Sequence, residues 1–203
     1  MLESFGEAVS SPEEMAKAQD ALAKVAENVM KTMIDGEEVT AIDIKEARLM
    51  RAQLAIQQKM TKDETYSVPV LVGDEVTNVT LKIVHGVEKR GIVDIMLESR
   101  ISGKIAATFQ AREAKITGTI VTDDAKTKEE LEAQIEAHKN TLQEKNEEID
   151  LKVVHIPELD LNHFSTQVVK ETEDSATEAG GVTTTRLYQI AESFIRVVKE
   201  TYK

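Results

Sequence analysis

Residues 91–156 place a run of strand-like segments ahead of one capped amphipathic helix and a closing strand, and that order leaves few architectures open. The stretch reads GIVDIMLESRISGKIAATFQAR, then EAKITGTIVTDD, then AKTKEELEAQIEAHKNTLQEKNEEIDLKVVHI. A helix between strands has to cover a sheet face, which makes a compact α+β unit. Val93, Ile95 and Leu97 alternate with Asp94 on the other side; Ile105, Ala107 and Phe109 repeat the pattern, and so do Ile116, Gly118 and Ile120. Upstream, Val68, Val70 and Val72 alternate, as do Val79, Leu81 and Ile83, with Gly73-Asp74 as a turn between them. Pro69 has no N–H to give a ladder, which assigns its segment to an edge or non-ladder position. Ser102-Gly103 turns the chain. Alternation, rather than continuous apolar runs, predicts an antiparallel or mixed sheet with one solvated face, not a doubly wound parallel one. Thr127 and Glu130 read as a capping box for a helix over 127–145. Leu131, Ile135, His138 and Leu142 form its inner stripe, Asn146 its left-handed cap, and Ile149, Leu151 and Val153 the last strand.

The predicted organisation is an N-terminal helical region over 1–65, the α+β domain over 66–161, a linker over 162–184 and a C-terminal helix over 185–203. Ser11, Pro12 and Glu14 have the positions of a helix start. Met15, Ala18, Leu22, Val25, Val29 and Met33 follow at spacings of three and four, and Asp35-Gly36 ends the run. Thr40 and Asp43 suggest a second cap, ahead of Ile44, Ala47, Met50 and Leu54. The pair reads as a helical hairpin packed on itself or on the sheet; the sharper alternative is a docking arm, although the run is too short for sustained heptads. The segment KETEDSATEAGGVTT is acidic and rich in Gly, Ser and Thr, as a linker is. Thr184 or Thr185 can cap the last helix, whose apolar face is Leu187, Ile190, Ala191, Phe194, Ile195 and Val198. A helix of that length does not stand alone in water, so it docks on the body or on a partner.

With 203 residues, 41% hydrophobic, the chain can bury one good core plus helical additions. Only 3% are aromatic and Trp is absent, so the core is built from Val, Ile, Leu, Met and Ala. A net charge of -12 opposes wrapping a phosphate backbone, and no basic stripe interleaved with aromatics offsets it. The absence of Cys rules out disulfides, thiol catalysis and Cys-ligated zinc in this sequence. The N-terminal stretch MLESFGEAVSSPEE has neither a basic n-region nor an apolar h-region, so no signal peptide is expected. The apolar runs are too short to cross a bilayer.

Phosphate-cradling glycine motifs, HExxH, a nucleophile elbow and an EF-hand loop are all missing from the sequence. His85 and His155 lie at or near strand ends and His138 on an apolar helix side; each reads as a packing or surface histidine. Glu158, Asp160 and His163 follow Pro157 in a segment that reads as a loop and carry oxygen and imidazole ligands, but nothing in their spacing fixes a metal geometry. Glu147-Glu148 and the acidic run over 171–178 read as solvated charge. Asn78-Val79-Thr80 matches a glycosylation sequon, which carries nothing without a secretory signal. The expectation is no catalytic residue, no cofactor and no metal, with action through a protein partner.

Residues 97–156 resemble the C-terminal domain of bacterial flagellar hook-length control proteins. The matching positions are Leu97, Gly103 and Ile105, then Phe109, residues 116–123, Leu131, Ile135, Leu142 and residues 144–154. The leader EARLMRAQLAIQQKM and the terminal LYQIAESFIRVVKE are similar to flanks of clostridial relatives, many of them domains of unknown function. The family's Pro-x-x-Leu-Gly entry is replaced by ESRISG, its glycine after the helix by Asn146, and its long ruler segment is absent. The resemblance implies a cytoplasmic, non-enzymatic interaction domain, exported through the flagellar apparatus. It further implies contact with the cytoplasmic part of the type III export gate, switching its substrate specificity when the hook is complete. The alternative is an unrelated α+β scaffold or peptide-binding module.

Overall fold

The computed structural model describes residues 12–34, 64–85, 90–112, 115–142, 148–162 and 184–202. Helix α1 spans Pro12–Ile34. Five strands follow: β1 Thr65–Val72, β2 Glu75–His85, β3 Arg90–Ser99, β4 Gly103–Arg112 and β5 Lys115–Thr122. Helix α2 (Ala125–Leu142), strand β6 (Glu148–His155) and helix α3 (Thr184–Thr201) complete the described elements. The strands form one six-stranded sheet in sequence order, antiparallel from β1 to β5, with β6 parallel to β5. Parallel pairing needs a crossover, and α2 supplies it. The fold is therefore α+β on a mixed sheet.

The register explains where the core sits. Tyr66, Leu81, Ile95, Ala107, Ile120 and Val153 stand opposite one another in a single row across all six strands. Their neighbours two residues away lie on the same face, and α2 and α3 cover that face side by side. Phe109 meets Phe194 edge-on at 5.2 Å, and the Tyr66 and Tyr188 hydroxyls share a hydrogen bond of 2.7 Å. Burial pushes the ionisation of both tyrosines up, so the pair stays neutral and serves packing. Gly91 is needed for the close approach of α3, since a Cβ there would sit 2.6 Å from Leu187. The C-terminal helix thus docks on the body; Leu187, Ile190, Ala191, Phe194, Ile195 and Val198 are all within 1% of fully buried.

Helix α2 starts two residues earlier than the sequence suggests, and Thr127 is not its cap. Asp124 Oδ1 accepts the Thr127 N–H at 2.7 Å, which makes Asp124 the capping residue. That bond, the largest cause, holds the Asp124 carboxyl below its usual range. Thr127 is buried and donates instead to the Ser102 carbonyl, at 3.0 Å, while its oxygen accepts from Tyr202. The competing principle is tertiary contact: a hydroxyl within reach of the buried Ser102 carbonyl and the Tyr202 hydroxyl is used there rather than at the helix end. Leu131 and Ile135 are buried as the stripe requires. His138, half-buried, reaches Glu200 of α3 at 2.7 Å. The side chain of Leu142 and Asn146 lie outside the described residues.

Pro69 falls on an edge strand, as expected. Ile83 N donates to Glu64 O, so residues 64, 66, 68, 70 and 72 bond to β2 and the odd positions face outward. Pro69 therefore costs no ladder bond. Gln19 of α1 caps this edge by donating to Ser67 O at 3.1 Å. The α1 stripe is buried at Met15 and Ala18, but Val25 is 48% exposed. Met15, Ala18 and Gln19 in the first turns make the described contacts with the body, and the side chains of Leu22, Val29 and Met33 lie outside the described residues. The second helix expected after Thr40 lies outside the described residues, as do residues 163–183 of the linker expected over 162–184.

Candidate interaction face

The opposite face of the sheet is not uniform, and the register again says why. One row runs Thr65, Lys82, Asp94, Thr108, Thr119 and Lys152, all polar. The next runs Ser67, Thr80, Met96, Ala106, Val121 and Val154, mostly apolar toward β6. No described helix covers this apolar row, and residues 157–162 cover part of it. After β6 the chain turns back, and Leu159 packs with Ala106 and Val121 in a cluster that Met96 and Leu161 flank. Lys104 Nζ fastens this strap by donating to Leu159 O at 3.2 Å. Asp160 Oδ1 accepts the Asn162 N–H at 2.9 Å and shapes its end.

Beside Leu161 and Asn162, a groove of about 650 Å³ lies over β2 and β3. Val76, Met96 and Leu161 give it an apolar floor, and Asn78, Thr80, Glu98 and Asn162 a polar rim. Val76 is 50% exposed there. A smaller hollow of about 220 Å³ lies over β4 to β6, lined by Thr108, Gln110, Thr117, Thr119, Asp150 and Lys152. A few convergent polar groups around an apolar floor are what a side chain of a binding partner needs.

Between the two hollows lies Asp94, which faces away from the helices as its alternation requires. It is nonetheless only 2% exposed. Its short side chain sinks between taller neighbours: Lys82 stands directly opposite in the register, and Thr108 donates to Oδ1 at 2.7 Å. Burial pushes the Asp94 carboxyl up, against the pull of the Thr108 bond and Lys82. The fold thus prefers the protonated form. The stability tied to it is complete below the ordinary carboxylate value and is lost as pH rises through the raised one. Above the ordinary carboxylate value, folding carries the cost of that burial. Asp94→Asn, neutral at every pH and able to keep the Thr108 bond, is expected to raise the denaturation midpoint at pH 7. The gain should vanish near pH 3, and urea melts at the two pH values check it.

The other residues singled out by sequence do not converge. His85 Nε2 pairs with Glu64 at 2.5 Å at the foot of β2, and hydrogen bonding to Glu64 raises its pKa. His155 lies at the top of β6, 3.3 Å from Asp123 O. Glu158 is exposed, Asp160 shapes the strap, and His163 is outside the described residues. Asn78 lines the groove. Among the described residues no three His, Cys, Asp or Glu side chains come together as a metal set would. Sequence reasoning missed the strap. Its signal was the spacing Leu159, Leu161 directly after Pro157, two apolar residues alternating in a segment otherwise read as loop.

The chain matches no protein-family model, and no curated protein or solved structure is significantly similar to it. No described helix is long and apolar enough to cross a membrane.

Proposed function

We propose that this chain acts by protein contact, through the groove over β2 and β3 beside Leu161. The observation that carries this reading is the half-exposed Val76 on an apolar floor with Met96 and Leu161. At Ala106 and Val121 the same face is covered by the chain's own Leu159, while Val154, at the end of that row, is 39% exposed. A partner side chain would complete at the groove what Leu159 completes at Ala106 and Val121. The Glu98 rim and the net charge of -12 favour a basic partner surface, with association that weakens as salt rises.

The partner proposed is the cytoplasmic part of the flagellar export gate, with the chain serving hook-length control and the switch in export specificity. This narrower reading rests on the resemblance of residues 97–156 to hook-length control domains. Two measurements test it. Titration calorimetry with the gate's cytoplasmic domain should show binding that Val76→Glu weakens about tenfold or more, as a charge placed on an apolar contact would. Deleting the gene in a flagellated host should give overlong hooks lacking filaments. Normal hooks after a clean deletion, in a host with no second copy, would remove the flagellar assignment. Binding of the gate unaffected by Val76→Glu would remove the groove.

A further inference from the structure

The two edges of the sheet are finished differently. On β1 the outward positions include Pro69, and Gln19 caps the Ser67 carbonyl. On β6 no described residue pairs the outer edge. Ile156 N donates to Thr122 O at 2.9 Å, with His155 opposite Thr122 in the register. In a parallel ladder this turns the N–H and C=O of residues 150, 152, 154 and 156 toward β5. Those of residues 149, 151, 153 and 155 point outward, unpaired within the sheet.

This strand is complementary to itself about Leu151. Antiparallel pairing with β6 of a second copy, centred there, sets Leu151 beside its twin and Ile149 beside Val153 of that copy, on the face shared with α2. On the other face it sets Asp150 opposite Lys152, twice by symmetry. No other register places those two charges opposite each other; one residue either way sets Lys152 against Lys152 or Asp150 against Asp150. The outward groups of residues 149, 151 and 153 then form six ladder hydrogen bonds, since the central residues are of the hydrogen-bonded type. A twofold interface has to be self-complementary in this way.

We propose that the chain forms a twofold dimer through antiparallel pairing of its β6 edges, joining the two sheets into one. The net charge of -12 on each copy opposes this. At 0.15 M ionic strength that repulsion is screened beyond about 8 Å. Cross-strand charge pairs, roughly 5 Å apart, lie inside that length and keep their attraction.

The test is sedimentation velocity over a concentration series of the full chain at that ionic strength. The mass should rise from 22.5 kDa toward twice that value. Asp150→Lys and Lys152→Glu each set like charges opposite one another at both symmetric sites, and each should raise the dimer Kd about tenfold or more. Both positions are exposed, so the monomer should fold as before, and far-UV circular dichroism checks this. An equimolar mixture of the two variants should recover the wild-type Kd, because every opposed pair is then of unlike sign. A general effect of charge on stability would not be rescued by mixing. A wild-type chain monomeric up to about 1 mM, a dimer indifferent to both reversals, or a mixture no tighter than its components would each overturn the proposal. So would amide exchange showing residues 149, 151 and 153 protected in dilute monomer, which would mean that the chain's own residues fill the edge.

Discussion

Ending the chain at residue 183 is expected to abolish cooperative folding of the whole α+β body. Helix α3 contributes Leu187, Tyr188, Ile190, Ala191, Phe194, Ile195, Val197 and Val198 to the core, each no more than 2% exposed. Full burial of a large apolar side chain contributes about 1.5–3 kcal/mol. Even a few such residues match the 5–15 kcal/mol that typically holds a domain of this kind together. The loss is doubled in kind, because the sheet positions beneath α3, including Tyr66, Ile95 and Phe109, would then face water. With only α2 left over β5 and β6, the apolar face over β1 to β3 has no second layer to bury it. The truncated chain should give a collapsed amide spectrum and no sigmoidal urea transition. A dispersed spectrum with an unchanged midpoint would show that α3 is an appendage, and that the core closes without it.

Replacing either ring of the Phe109 and Phe194 pair should cost about 3–5 kcal/mol, the range for burying an aromatic and then leaving its cavity. Both are 1% exposed, and they meet at 5.2 Å with planes 61° apart. That edge-to-face geometry places the positive rim of one ring against the negative face of the other. It adds about 0.5–1.5 kcal/mol beyond area alone. The double variant should therefore lose less than the sum of the singles by about that amount. The cycle is measured from urea midpoints of Phe109→Ala, Phe194→Ala and both together. Strict additivity would mean that the rings only fill space. This contact is also where the scarcity of aromatics bears on stability: of four Phe in the sequence, two are committed to tying α3 to β4.

Alternation alone determined much of this protein. Val93, Ile95 and Leu97, and the matching triplets on the neighbouring strands, declare one buried face because successive strand residues point to opposite sides. Pro69 declares an edge because it has no N–H. The apolar stripe of 187–198 declares a helix that needs cover, and Leu131 with Ile135 declares the same for α2. These signals are local, and a single sequence carries them intact.

Tertiary structure decided the rest, since it depends on which groups meet across long separations. Thr127 has the spacing of a capping residue, but Ser102 and Tyr202 hold its hydroxyl, and Asp124 caps the helix instead. Asp94 reads as a solvent-facing charge, yet lies buried because Lys82 and Thr108 flank it from β2 and β4. Leu159 and Leu161 look like loop residues until the chain after β6 folds back over Ala106, Val121 and Met96. Periodicity reports which way a residue points along its own element. What stands opposite it, and whether anything covers it, is settled only when distant segments are brought together.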